Sequence, residues 1–249
     1  MVSRPYKRLR VFAGPNGSGK STIKAIVLDR VHLGVYVNAD ELKVILSKNR
    51  QLDFSDYNVK LNPKRFIGEF RNSSLALKIR NIENTLSNIE FDENRIKLKE
   101  DYKIEDYFIS YITSYIWSEL LKVSNKFTIE TVMSHPSKLD FMRQARAEGF
   151  KVYLYFVSLA DPELNKHRVQ TRVAQGGHPV DEDKICKRYY RTMNNLYEAI
   201  KIADNAYLFD NSASEPNMFA VKENGILSVN SEYIPKWFST YVVENLQNS

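Results

Sequence analysis

Residues 9–22 read Leu9-Arg10-Val11-Phe12-Ala13-Gly14-Pro15-Asn16-Gly17-Ser18-Gly19-Lys20-Ser21-Thr22. A short apolar run leads into glycine, four residues, glycine, lysine and a hydroxyl residue, and helical spacing follows. Strand, loop and helix in that order form the setting in which this pattern cradles phosphate. Glycine lets the backbone curl until successive N–H groups point inward at phosphate oxygens. The following helix adds the partial positive charge of its N-terminus. Lys20 then places an ammonium on the β- and γ-phosphates, the Ser21 hydroxyl ligates Mg²⁺, and Thr22 reaches the α-phosphate. Gly14, Pro15, Asn16, Gly17, Ser18, Gly19, Lys20, Ser21 and Thr22 are therefore the expected nucleotide-binding residues. A glycine-rich turn with no ligand would need neither Lys20 nor the hydroxyl pair.

Outward from that loop, β-branched and aromatic runs recur at Arg8–Ala13, Val35–Asn38, Phe127–Glu130, Val152–Leu159 and Ala206–Phe209. Most are continuously apolar, as suits strands buried on both faces of a parallel sheet. Helical spacing falls between them, at Ser21–Arg30, Ser137–Glu148 and Glu182–Ala203. The alternation predicts an α/β fold, a parallel sheet with helices on both faces. The second and third strands are far apart, and a structureless loop of that length is improbable in a compact domain. A helical insertion over about 46–122 is expected there. Its amphipathic stretch Ile104–Leu121 carries Tyr107, Phe108, Tyr111, Ile112, Tyr115, Ile116 and Trp117, which read first as packing residues and second as a substrate or partner surface. Beyond Asp210, residues 213–249 predict a hairpin, Phe219–Val229 around Asn224-Gly225, and a last helix, Ile234–Leu246.

The same loop serves transporters, GTPases and kinases, so the rest of the chain has to discriminate. Neither a Leu-Ser-Gly-Gly-Gln signature nor a guanine-reading Asn-Lys-x-Asp element occurs. Instead Asp40 and Glu130 follow the second and third strands, at the carboxyl ends where open α/β sheets bind ligands. An alcohol is a poor nucleophile at neutral pH, and a carboxylate that accepts its proton makes it a competent one. Either residue can do this; Asp40 can alternatively cap the helix that follows it. From Phe141 to Arg191 there are ten basic against six acidic side chains. Arg168, Arg172, Arg188 and Arg191 flank Gln175-Gly176-Gly177-His178-Pro179, a lid whose arginines neutralise a transferring phosphoryl group, or else a solvated basic face.

Composition is consistent with this and excludes other classes. The chain has 249 residues, 43% hydrophobic and 27% charged, with a net charge of +6, as for an ordinary globular protein. No apolar run approaches a membrane span or a signal core. The single cysteine, Cys186, cannot make an internal disulfide or a Cys-rich zinc site, so a cytoplasmic location is expected. The basic excess suits phosphate ligands, and nucleic acid is the weaker reading.

The motifs together resemble the zeta toxin family of P-loop kinases. The resemblance runs through Ala13–Thr22, Asn38-Ala39-Asp40, Glu130-Thr131, Gly149–Tyr155, Arg168-Val-x-x-Arg172-Val-x-x-Gly-Gly-His178, Ile185-x-x-Arg188-Tyr189 and Asp210-Asn211. It leaves the insertion and the C-terminal tail uncovered. It implies a single nucleotide-kinase-like domain over 1–249, with a parallel five-stranded sheet. It further implies ATP- or GTP-dependent, Mg²⁺-assisted phosphorylation of a sugar hydroxyl on UDP-N-acetylglucosamine, an alcohol-acceptor phosphotransfer. Asp40 would be the base, with Lys20, Arg172 and Arg188 on the phosphates, and Asn38, Glu130 and Thr131 on the substrate. Thr131-Val132-Met133-Ser134 lacks the arginine found near the substrate in well-known members. A small helical antitoxin is the partner that the resemblance implies.

Overall fold

The computed structural model describes residues 6–177 and 180–247. In chain order the strands are β1 (Lys7–Ala13), β2 (Val35–Asn38), β3 (Gln51–Asp53), β4 (Ile89–Asp92), β5 (Arg95–Leu98), β6 (Lys126–Thr131), β7 (Phe150–Ser158), β8 (Asn205–Asp210), β9 (Asn217–Glu223) and β10 (Ile226–Val229). The longer helices are α1 (Lys20–Leu28), α2 (Ala39–Asn49), α3 (Pro63–Arg71), α4 (Ile82–Ser87), α5 (Asp106–Val123), α6 (Ser137–Ala147), α7 (Pro162–Ala174) and α8 (Glu182–Ile202). The chain divides into two compact units, Met1–Leu33 with Glu130–Ser249, and Gly34–Ile129. It passes from the first to the second between Leu33 and Gly34 and returns within β6.

In the first unit the strands run in the order β10-β9-β8-β7-β1. β1, β7 and β8 are parallel, with Val11 opposite Leu154 and Tyr155 opposite Tyr207. The continuous apolar runs produce this: Leu9, Val11, Phe12 and Ala13 are at most 1% exposed because both faces of β1 are covered. On one face Phe12, Ile23, Leu33, Tyr155, Val157 and Phe209 form a cluster, with Phe12 stacked on Tyr155 at 4.8 Å. β9 and β10 add an antiparallel hairpin, and its turn residues Asn224 and Gly225 both have positive φ, as the Asn-Gly pair predicts. The tail is less regular than the single helix expected at Ile234–Leu246. A turn, Lys236–Phe238, passes through a π-helical stretch, Ser239–Val243, into Glu244–Gln247. Trp237 and Phe238 anchor it against Phe219. Among the described residues no helix is long and apolar enough to cross a membrane.

The second unit holds β2 beside β6 and a separate antiparallel sheet of order β3-β5-β4. The stretch 46–122 is thus not purely helical, because three short strands accompany α3, α4 and α5. The packing reading of α5 describes what forms here: Phe108, Tyr111, Ile112, Tyr115, Ile116 and Trp117 are buried, while Tyr107 is 39% exposed. Phe66 of α3 lies at the centre, with ring centroids 4.9 Å from Tyr111, 5.0 Å from Tyr115, 5.8 Å from Phe91, 6.1 Å from Phe108 and 6.4 Å from Phe54. Arg65 caps the cluster, donating to the Tyr115 hydroxyl at 3.0 Å and pairing with Glu119. Burial pushes the Glu119 carboxyl up, but hydrogen bonds from Arg65 and Lys122 outweigh it and hold the group below the usual glutamate range. Phe66→Ala should destabilise the protein by about 3–5 kcal/mol, because it opens an aromatic-sized cavity and removes the ring that its neighbours meet edge to face. Urea unfolding followed by fluorescence checks this; a decrease in stability below about 1 kcal/mol would contradict the central placement.

Candidate active site

β1 ends where glycine is obligatory. Gly14 has φ 146°, and a Cβ there would lie 2.0 Å from the Val157 carbonyl oxygen on the neighbouring strand. Gly19 has φ 95°, and a Cβ there would lie 2.1 Å from Asn211 Nδ2. The loop therefore turns through space that a side chain would fill, and Lys20 begins α1 directly after it. α1 has no capping side chain and no acidic residue in its first turn. By contrast, α2, α3, α7 and α8 are capped by Asn38, Asn62, Asp161 and Asp181. Uncapped N–H groups at a helix start are the donors that an anion needs.

Lys20, 9% exposed, donates to the carbonyl oxygens of Gly14 and Pro15 at 3.0 Å each. Its ammonium is thus held over the loop by these carbonyls among its partners, and phosphate oxygens would compete for the same protons. The Ser18 hydroxyl and the Asn16 side-chain oxygen are buried without a hydrogen-bond partner. Orphaned polar atoms in a glycine-lined turn, together with an uncapped helix, fit a polyphosphate. The exposed Ser21 hydroxyl and the phosphates themselves suit Mg²⁺, which keeps most of its water and seldom uses an all-protein cage. Among the described residues no cluster of three or more His, Cys, Asp or Glu could hold a metal.

Three residues outside the motif fix the loop. Asn165, fully buried on α7, donates to the Asn16 carbonyl at 2.6 Å. Asn211, just past β8, donates to the Ser18 carbonyl at 2.9 Å. Its own carbonyl accepts from Arg168 at 2.7 Å, so this arginine flanks the loop and is not part of a solvated basic face. Asp210 holds the tail by accepting from the Trp237 indole N–H at 2.8 Å. Asn165 carried no sequence signal, since a lone asparagine in a helical segment has no spacing rule attached to it. Gly14→Ala should cost about 2–4 kcal/mol and remove nucleotide binding, because the blocking oxygen belongs to backbone that cannot rotate away. Calorimetric titration with ATP and urea unfolding test the two effects; wild-type values for both would contradict the geometry.

The remaining expected residues take separate places. Arg172 is exposed in the last turn of α7, and Arg188 is half-buried early in α8. Gln170 of α7 donates to Glu182 of α8 at 2.7 Å. The paired glycines terminate α7: Gly176 has φ 88°, its N–H bonds the Val173 carbonyl, and the Gly177 N–H bonds that of Arg172, a Schellman arrangement. His178 and Pro179 lie outside the described residues. Glu130 and Thr131 end β6, both half-buried. Asn38 and Asp40 belong to the second unit. Asn38, not Asp40, caps α2, accepting from the Asp40 N–H at 2.9 Å and donating to the Tyr36 hydroxyl at 3.1 Å. The Asp40 carboxylate is exposed in the first turn of α2.

No family model matches the sequence. An uncharacterized protein of Haemophilus influenzae is 35% identical over 63 residues, which cover 25% of this chain and 45% of that protein. Among solved structures, that of AvrRxo1-ORF1:AvrRxo1-ORF2 with sulphate ions matches at a TM-score of 0.54 and 17% identity over 91% of this chain. The AvrRxo1-ORF1:-ORF2 structure with ATP matches at 0.50 and 17% identity, over 90% of this chain. The chain spans 62% of the first of these chains and 61% of the second. These likenesses establish the fold, a mixed α/β architecture with a parallel-rich sheet that it shares with the AvrRxo1 structures, and the motif run from Ala13 to Asn211 is where the chain resembles the zeta toxin family.

Proposed function

We propose that the protein is an ATP-dependent small-molecule kinase of zeta toxin type, which phosphorylates a hydroxyl of a UDP-activated amino sugar such as UDP-N-acetylglucosamine. The observation that carries this is the loop Gly14–Thr22, with its uncapped helix start, its orphaned Ser18 and Asn16 oxygens and its inward Lys20. ATP, when bound, would supply the transferable phosphoryl group, and Ser21 would be the side chain that helps hold Mg²⁺. GTP makes the same phosphate contacts. The chain's own part is positioning and charge. Backbone N–H groups and Lys20 hold the β- and γ-phosphates. Asp40 takes the proton of the acceptor hydroxyl, which its release from capping duty leaves it able to do. Arg172 and Arg188 neutralise charge that develops on the transferred group and exclude water. Asn38, Glu130 and Thr131 orient the acceptor. One neighbour with this fold carries ATP, and it was crystallised with a second chain, ORF2; from the zeta toxin resemblance, a small helical antitoxin is the proposed partner here and toxicity to the host the proposed outcome.

The alternative is a P-loop ATPase or switch that acts on nucleic acid or a protein partner through the insertion. The basic charge of the chain still suits it, but most rings of Ile104–Leu121 pack into the interior of the second unit, with Tyr107 exposed. Incubation with Mg-ATP and a panel of nucleotide sugars, read by mass spectrometry, tests the proposal. A gain of one phosphate on a UDP-amino sugar is the expected result; ATP consumption with every sugar unchanged would overturn it.

A further inference from the structure

Five non-glycine residues have positive φ among those described. Arg50 and Asn58 close helical turns, and Glu93 and Asn224 sit in strand turns. Met133 differs from all four: it is apolar, 1% exposed, and placed just past the carboxyl end of β6 at φ 58°. An unbranched apolar side chain gains nothing locally from the left-handed region, so its surroundings must impose it. Three hydrogen bonds do so. The Met133 N–H donates to the Thr131 hydroxyl at 3.0 Å. The Thr192 hydroxyl donates to the Val132 carbonyl at 2.7 Å, and Asn195 Nδ2 donates to the Met133 carbonyl at 2.9 Å. Thr192 is fully buried. Two of the three donors therefore come from α8, sixty residues away in sequence.

Arg188, Thr192 and Asn195 are spaced i, i+4 and i+7, which puts them along one face of α8. The same helix reaches the loop after β7, where the Tyr189 hydroxyl donates to the Leu159 carbonyl at 3.0 Å. Burial raises the Tyr189 pKa well above that of an ordinary tyrosine, so the donor persists at any physiological pH. Held strain at the carboxyl end of a sheet strand is the pattern of a preorganised ligand loop.

We propose that Thr192 and Asn195 are positioning residues, which lock the Thr131–Met133 turn in its strained form and so set the geometry of the acceptor side from the helix that carries Arg188. This rests on the kinase reading, in which Glu130 and Thr131 orient the acceptor. Thr192 touches neither nucleotide nor reacting atoms; it acts through the turn. The turn bears on one substrate, so its loosening should separate the two Michaelis constants.

The test compares full-length wild type, Thr192→Val, Thr192→Ser and Asn195→Ala, with ATP and UDP-N-acetylglucosamine as substrates and hydrogen exchange of the peptide around Met133 as a second readout. Thr192→Val keeps the shape and removes the donor, leaving the Val132 carbonyl without its partner. It should raise the acceptor KM about tenfold, leave the ATP KM within about twofold, and speed exchange around Met133 by about tenfold. Thr192→Ser restores the hydroxyl and should return all three values close to wild type. Asn195→Ala, at a half-buried position where folding is less at risk, should repeat the acceptor effect. An unchanged acceptor KM and exchange rate in Thr192→Val and Asn195→Ala would overturn the lock, as would equal rises in both KM values. A wild-type protein that transfers no phosphate overturns the kinase reading and the acceptor role with it, and the exchange measurement then still decides whether α8 holds the turn.

Discussion

Asp40→Asn should leave ATP binding at the wild-type level and lower phosphoryl transfer by about 10²–10⁴-fold. The amide keeps the size and polarity of the carboxylate but cannot accept a proton from the attacking hydroxyl. Folding should be unaffected, because Asn38 and not Asp40 provides the side-chain cap of α2, and the Asp40 N–H that satisfies it is backbone. Calorimetric titration with ATP and a coupled transfer assay read the two quantities separately. Transfer at the wild-type rate would remove Asp40 from the mechanism and leave Glu130 as the carboxylate to examine.

Lys20→Met should have a comparably large effect on a different step. The thioether matches the length of the lysine stem but carries no charge and no donors. Two loop carbonyls, of Gly14 and Pro15, lose this partner, and a bound triphosphate would lose the ammonium of the loop. Transfer should fall by about 10²–10³-fold, as when one preorganised charge is removed from a phosphoryl or oxyanion site. In contrast to Asp40→Asn, ATP affinity should fall as well, so the pair of variants separates holding the phosphate from activating the acceptor. A Lys20→Met protein with unchanged affinity and rate would mean that the ammonium serves only to hold the loop together.

The strands that bear the loop were legible because each is apolar on both faces. β1, β6, β7 and β8 begin and end within two residues of the runs that predict them. The insertion was legible only in part. β3, β4 and β5 are three or four residues long and polar at alternate positions, too short for a period of two to stand out. The turn that joins β4 to β5 uses Glu93 at φ 50° in place of the usual glycine. Phosphate-binding residues were legible as a block because spacing and chemistry coincide there. Asn165 was not, because long-range packing alone brings it to Asn16, 149 positions away. Thr192 was equally silent, since a buried threonine in an amphipathic helix gives no sign that its hydroxyl reaches a strained turn on another element.

On the kinase reading, a triphosphate bound by the Gly14–Thr22 loop should pass its terminal phosphoryl group to an alcohol and not to water. ATP isotopically labelled in the γ-phosphoryl oxygens, incubated with the protein, Mg²⁺ and UDP-N-acetylglucosamine, decides between the two fates once the products are resolved by phosphorus NMR. Labelled phosphate bound to the sugar as a monoester is the expected product. Label found solely in free inorganic phosphate would contradict the kinase reading.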